Sequence, residues 1–150
     1  MAIELKVRQA LVVNGNVVVG DRLNDTTITL ASGQQFCATD VTVADNYGTA
    51  LLWTSGDGGM TSYSHGWVYS DKDVVIELRS DNGTAEFVLM FVEADVLTAL
   101  PAEIGGDTTE SLDGAILVDG TDHDTVDRVE VQNNVADAIG DASVSIFLFV

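Results

Sequence analysis

The stretch Asp73–Glu93, DVVIELRSDNGTAEFVLMFVE, predicts how the chain is organised. Its two apolar runs, residues 74–78 and 87–92, flank Asn82-Gly83, and an Asn-Gly pair between such runs favours a tight β-hairpin because both residues tolerate positive φ. On the first run Val74, Ile76 and Leu78 share one face. The charged residues Asp73, Glu77 and Arg79 share the other, whereas the second run is apolar on both faces. A strand of the second kind is expected to be central in its sheet and covered twice, by a packed sheet and by a second sheet, loop or subunit.

The remainder of the chain repeats this pattern of short apolar or alternating runs. About ten such runs occur, with turn signals roughly every 8 to 12 residues and no long amphipathic helix. The pattern predicts an all-β fold, an antiparallel β-sandwich or jelly-roll-like single domain over residues 1–150, in which 1–10 form an N-terminal interface strand or arm. The apolar run 144–150 is expected to be inserted in a sheet, because an exposed strand of this kind would aggregate.

The chain is strongly acidic. Its 150 residues contain 24 Asp and Glu against 6 Lys and Arg, for a net charge of −18, and the segment from Ser80 to Asp127 has 12 acids and no base. Such a field repels phosphate backbones and anionic lipids, so neither nucleic acid nor a membrane surface is an expected partner. It favours solubility, a cationic partner surface, or a high-salt setting in which ions screen self-repulsion.

The N-terminal residues lack the apolar core of a signal peptide, and no stretch approaches the roughly 20 apolar residues of a membrane span. Cys37 is the only cysteine, so no intramolecular disulfide is expected; its apolar neighbours predict a buried thiol, with an intersubunit disulfide as the alternative.

The sequence predicts neither a metal site nor a catalytic site. Asp119, Asp122 and Asp124 lie on a polar turn and resemble oxygen ligands for Ca²⁺, but the glycine and the twelfth-position glutamate of an EF-hand are missing, so we expect a solvated turn without metal. Only His65 and His123 provide imidazoles, and no Gly-x-Ser-x-Gly, Walker or dinucleotide glycine pattern occurs. We therefore predict that the protein is not an enzyme and needs no cofactor.

An aromatic segment offers a third kind of site. Tyr63, His65, Trp67 and Tyr69 follow one another at every second position, and on a strand such residues point to one face, with Trp53 expected nearby. Three interpretations are open: a stacking platform for sugars, side chains of the sandwich core, or a subunit interface.

At the central hairpin, in residues 75–83 and 87–93, the chain resembles the decoration (cement) proteins of tailed-phage capsids. The apolar last strand and the compact acidic body agree with this resemblance. It implies a small, cysteine-poor structural protein of the virion, made in the host cytoplasm. It further implies a homotrimer that binds the major capsid protein on the outer capsid surface and stabilises the shell. The compact Pro- and Gly-rich arm of some members is missing, which leaves the mode of attachment open.

The N-terminal segment is the predicted interface with the capsid or with other subunits. It consists of Ile3, Leu5, Lys6, Val7 and Arg8. The two bases can meet carboxylates on a neighbouring surface, while the apolar side chains of the other strand face add contact area. The alternative is an ordinary edge strand of a monomer. The alternative function is a carbohydrate-binding β-sandwich module that uses the aromatic face.

Overall fold

The computed structural model describes residues 3–7, 11–13, 16–19 and 26–30 by their backbone, and residues 35–80, 86–105, 123–133 and 140–150. The chain divides into two compact units, Met1–Gln34 and Gln35–Val150. The predicted single domain over residues 1–150 stays a prediction, and each unit is described by itself.

The first unit contains four short strands in two antiparallel pairs. They are β1 (Ile3–Val7), β2 (Leu11–Val13), β3 (Asn16–Val19) and β4 (Thr26–Leu30). β1 pairs with β4, and β2 pairs with β3. The two residues between β2 and β3, Asn14 and Gly15, lie outside the described part of the chain.

The described residues of the second unit form ten strands. They are β5 (Phe36–Val43), β6 (Thr49–Thr54), β7 (His65–Ser70), β8 (Val74–Ser80), β9 (Glu86–Val92), β10 (Thr98–Leu100), β11 (Glu103–Gly105), β12 (His123–Thr125), β13 (Arg128–Asn133) and β14 (Ala142–Phe149). One 3₁₀ turn, Asp57–Gly59, is the sole helical element within the ranges described.

Two four-stranded antiparallel sheets form the body of this unit. The first sheet has the strand order β10-β7-β14-β5, and the second sheet has the order β6-β13-β8-β9. A separate pair, β11 with β12, completes the unit. Buried side chains from both large sheets form one apolar core. The predicted antiparallel, sandwich-like all-β fold is confirmed.

Strand alternation explains how the two sheets share this core. On β8, Val74, Ile76 and Leu78 are fully buried, whereas the residues between them are half-buried on the outer face. β5 alternates in the same way, with exposed residues between residues that face the core. Cys37 is one of the inward-facing residues and is partly buried against the core. The period of two that is visible in the sequence therefore corresponds to the two faces of each sheet.

The predicted hairpin is present, but its second strand is not central. β8 and β9 pair without a break from Val74 with Val92 to Ser80 with Glu86, and the turn residues 81–85 lie outside the described part of the chain. Within the described strands, β9 is the edge of the second sheet. The prediction of a central strand is wrong, because β8 is the one described strand that pairs with β9. Its inner face packs on the core, and its outer face is exposed.

β14 is the most enclosed strand of the first sheet. It pairs with β5 along its whole length and with β7 from Val144 to Phe149. Val144, Ile146 and Leu148 on its inner face are at most 1% exposed. The predicted insertion of this apolar run into a sheet is confirmed.

We expect Ile146→Ala to lower the free energy of unfolding by about 2–5 kcal/mol, because it removes buried methyl groups and leaves a cavity in a core that relaxes only partly. Ser145→Ala, on the outer face of the same strand, is the matched control and should change stability by roughly 0.5 kcal/mol or less. Urea denaturation of the two variants measures both values. A loss below about 1 kcal/mol for Ile146→Ala would contradict the central position of β14.

Candidate interaction surfaces

The predicted N-terminal interface falls on β1. Ile3, Leu5, Lys6 and Val7 belong to this strand, and Lys6 is paired in register with Thr27 of β4. Arg8 lies outside the described residues. The strand predicted for this segment is present, and its role as an interface stays a prediction.

Two of the predicted aromatic site residues are core residues instead. Trp53 is fully buried and Tyr63 is 3% exposed, and their rings meet edge to face with centroids 5.6 Å apart. β7 begins at His65, so Tyr63 precedes the strand and does not follow its alternation. The prediction that all the aromatic residues share one face is therefore wrong for Tyr63, and neither of the two buried rings can contact a ligand.

A bulge brings Trp53 into the core. Along β6 and β13, Trp53 is opposite Val129 while Leu51 is opposite the next residue, Glu130, so β6 contains one extra residue at this point. Leu52 and Trp53 are consequently both buried, whereas Leu51 is 45% exposed. The extra residue shifts the alternation of the strand by one position.

Tyr63 is held by a hydrogen bond and by close packing. Its hydroxyl donates to the carbonyl oxygen of Pro101 at 2.5 Å. Gly66 provides the space for its ring, because a Cβ there would lie 3.1 Å from Tyr63 Cε2 and 2.9 Å from Leu148 Cδ2. Burial raises the pKa of the Tyr63 phenol well above its ordinary value. The side chain therefore acts as a neutral bridge between the start of β7 and the segment after β10.

The other aromatic residues lie on the outer face of the first sheet. The rings of His65 and Trp67 are nearly parallel, with an interplanar angle of 12° and centroids 6.2 Å apart. Phe149 meets Trp67 edge to face at 5.9 Å and lies 4.8 Å from Phe36, which is 47% exposed. We call these four residues, together with Tyr69, the aromatic face.

Tyr69 marks the border of the aromatic face. It is 37% exposed, and its hydroxyl donates to Asp95 Oδ1 at 2.8 Å. That hydrogen bond and the charge of Asp95 raise the pKa of the Tyr69 phenol. Phe36 and Phe149 were not among the predicted site residues, since their proximity to Trp67 depends on the order of β7, β14 and β5, which is not visible in the sequence.

The outer face of the second sheet exposes the largest apolar side chains of the hairpin. Phe87, Leu89 and Phe91 on β9 are 54%, 50% and 64% exposed, and we call them the β9 row. On the opposite face of the same strand, Val88 is 3% exposed and Val92 is fully buried. This strand is apolar on both faces, and the sequence predicted that each face would pack against a sheet, a loop or a subunit. The structure provides the core for one face and leaves the β9 row exposed.

Next to the β9 row lies a group of four charged residues. Arg79 pairs with Glu77 on β8, and Arg128 pairs with Glu130 on β13. The register places the two arginines opposite each other and the two glutamates opposite each other. Like charges that face each other across strands are unfavourable, and the pairing along each strand offsets this. The group has equal numbers of positive and negative charges.

The predicted acidic turn falls largely outside the described part of the chain. Asp119 and Asp122 lie outside the described residues, and Asp124 lies on β12. Where the structure describes side chains, no three His, Cys, Asp or Glu residues come together as metal ligands would. Over the same residues, no helix has the length and apolar character needed to cross a membrane.

Comparisons with protein-family models, with curated proteins and with solved structures give no match to this chain. The assignment of function therefore depends on the two outer faces and on the charge of the chain.

The buried phenol generates a prediction about alkaline pH. The folded protein holds the Tyr63 proton more tightly than the unfolded chain, in which the pKa of tyrosine is about 10. Stability that is present below pH 10 should therefore fall as the pH rises above this value. Tyr63→Phe lacks the ionisation, so its free energy of unfolding should fall less steeply, after an initial loss of about 1 kcal/mol from the missing hydrogen bond.

Urea denaturation at neutral pH and above about pH 10 tests this expectation. Tyr47→Phe is a suitable control, because Tyr47 is 51% exposed. If wild type and Tyr63→Phe lost stability in parallel on going to high pH, Tyr63 would not be the residue responsible.

Proposed function

We propose that this protein is a non-enzymatic structural component of a virion, a decoration protein that binds the outer face of a viral shell and stabilises it. The observation that carries the proposal is the exposure of apolar or aromatic side chains on both sheets of a rigid sandwich, the β9 row on one and the aromatic face on the other. Contiguous exposed apolar residues of this kind are typical of surfaces that contact other macromolecules.

The shape of the second sheet supports a macromolecular contact over a small-molecule site. A depression of about 90 Å³ lies between Leu89, Glu77, Glu130 and their neighbours. Pockets that enclose a small ligand are usually about 300–1,000 Å³, so this depression is too small for such a ligand. A broad protein surface, by contrast, can cover the face without needing a deep pocket.

The charge of the chain supports an outward location. A net charge of −18 keeps the exposed surface away from packaged nucleic acid and keeps separate particles from associating. In this proposal the acidic surface faces solvent, and the bases in the N-terminal unit approach carboxylates of the major capsid protein. The resemblance described above adds a homotrimer as the assembled form.

The shell contact is tested by replacing Lys6 and Arg8 with Glu, separately and together. We expect each single variant to weaken retention on purified shells and the double variant to abolish it, because each change removes an attraction and introduces a repulsion. Retention is measured by co-sedimentation with the shells, and stabilisation is measured as the rise in their melting temperature.

The control is Lys72→Glu, which produces the same change in charge at a base between β7 and β8. Equal loss of retention for Lys6→Glu and Lys72→Glu would indicate an effect of net charge alone. Undiminished binding of the double variant would remove the N-terminal segment from the proposal. A wild-type protein that never associates with shells would remove the decoration function itself.

A second candidate function is carbohydrate binding, which the contacting rings of the aromatic face favour. Flat aromatic surfaces provide the apolar area on which the faces of sugar rings stack. On this alternative, Trp67 is the central contact and the exposed ring of Phe36 extends the surface.

The two tryptophans of the chain separate this alternative from the first proposal. Trp53 is fully buried and Trp67 lies on the aromatic face, so a bound oligosaccharide should change the fluorescence of Trp67 alone. We expect a saturable change in the wild type and in Trp53→Phe, and none in Trp67→Phe. No change in the wild type across a panel of oligosaccharides would exclude the aromatic face as a sugar platform.

A further inference from the structure

The β9 row combines large exposure with a position at the edge of a sheet. Its three side chains lie at every second position of one strand, each at least half exposed. Together they offer on the order of 300 Å² of apolar surface, comparable to the largest patch on a typical monomer. Among the described strands, β9 pairs with β8 on one side and ends the sheet on the other.

The centre of this edge lacks the features that usually prevent an exposed strand from pairing, although Glu86 begins β9 and Glu93 follows it. From Phe87 to Val92 there is no proline and no charged residue. Seven consecutive register pairs connect β9 to β8 without a bulge. Natural edge strands are commonly shortened, bulged or charged because an open, flat and apolar edge associates with other chains. β9 is therefore suited to a partner.

The charges around the row indicate what that partner is. Among the described side chains of this face, two arginines and two glutamates cancel, and the β9 row adds no charge. Elsewhere the chain is so acidic that two copies repel each other. A cationic partner would gain little from a neutral face, whereas a second copy can approach here without repulsion.

We propose that the β9 row is the contact through which copies of this chain associate with one another. The row of one copy can pack against the row of another about a two-fold or a three-fold axis. About a two-fold axis at Leu89, antiparallel β9 strands would place Phe87 of each copy opposite Phe91 of the other. About a three-fold axis, the three side chains would form three apolar layers. In both arrangements the apolar side chains of one copy would pack against the apolar side chains of another and exclude water.

The area agrees with a row that forms the centre of a larger interface. A stable interface buries roughly 800 Å² on each partner, more than the row alone provides. Val75, opposite Phe91 on β8, and the neutral group of charges lie next to the row and extend the face. A central group of large apolar residues with a polar rim is the usual distribution of binding energy in such interfaces.

The inference deepens the proposed function by naming the contact between subunits, and it does not require a shell. An oligomer that forms through the β9 row but never binds shells would leave the inference intact and remove the proposed function. A monomer that still binds and stabilises shells would do the reverse.

The test compares two leucines on the same outer face. Leu89 is 50% exposed on β9, and Leu51 is 45% exposed on β6, the other edge of the sheet. Three strand-to-strand steps separate them, about 14 Å. We expect Leu89→Lys to convert the protein to a monomer at micromolar concentration and Leu51→Lys to keep the wild-type mass, as measured by sedimentation equilibrium. Circular dichroism and melting temperature confirm that both variants fold.

Crosslinking provides an independent measurement that does not depend on disrupting the contact. In a Cys37→Ser background, which removes the only native cysteine, Leu89→Cys should form a covalent pair of chains under mild oxidation, and Leu51→Cys should not. Raising the salt concentration should strengthen the wild-type association, because ions screen repulsion between the acidic bodies.

Three outcomes would overturn the inference. One is a wild-type protein that stays monomeric at micromolar concentration in both low and high salt. Another is an oligomer whose mass is unchanged by Leu89→Lys. The last is equal crosslinking of the two cysteine variants, which would indicate random collision instead of a specific contact.

Discussion

The second unit depends on the insertion of β14 between β5 and β7. Residues 142–149 pair with residues 36–43, so the partners are 99 to 113 positions apart in the chain. The pairing closes a long loop, and its entropic penalty is recovered only when the inner face of β14 is buried against the second sheet. The same insertion brings Phe149 between Phe36 and Trp67, so the strand that completes the core also assembles the aromatic face.

The two sheets expose different chemistry although they share one core. The first sheet carries rings that contact one another, and Phe149 is only 3% exposed because Phe36 and Trp67 cover it. The second sheet carries the β9 row, whose side chains are each at least half exposed. Packed rings suit a preformed surface for a flat ligand, whereas an exposed row at an open edge suits another polypeptide. The carbohydrate alternative thus depends on the aromatic face alone, whereas contact with another polypeptide can also use the β9 row.

Charge gives the second sheet a further distinction. Acidic residues dominate the chain, yet the arginines and glutamates on β8 and β13 form ion pairs that leave this face neutral. Exposed ion pairs contribute little to stability, because solvent screens them and ordering their side chains opposes their attraction. Their effect here is that the four charges on this face sum to zero. A neutral, partly apolar face on a strongly acidic body directs association to one surface while repulsion protects the others.

The sequence by itself determined which segments are strands and which side chains of most strands face inward, because alternation with a period of two follows from backbone geometry alone. It also predicted the hairpin of β8 and β9 and the burial of the last strand. Only the tertiary structure decided the order of strands within each sheet. That order placed β9 at an edge, and tertiary packing buried Tyr63 in the core. Exposure depends on which distant segments pack against a residue, and a local pattern contains no information about segments a hundred residues away.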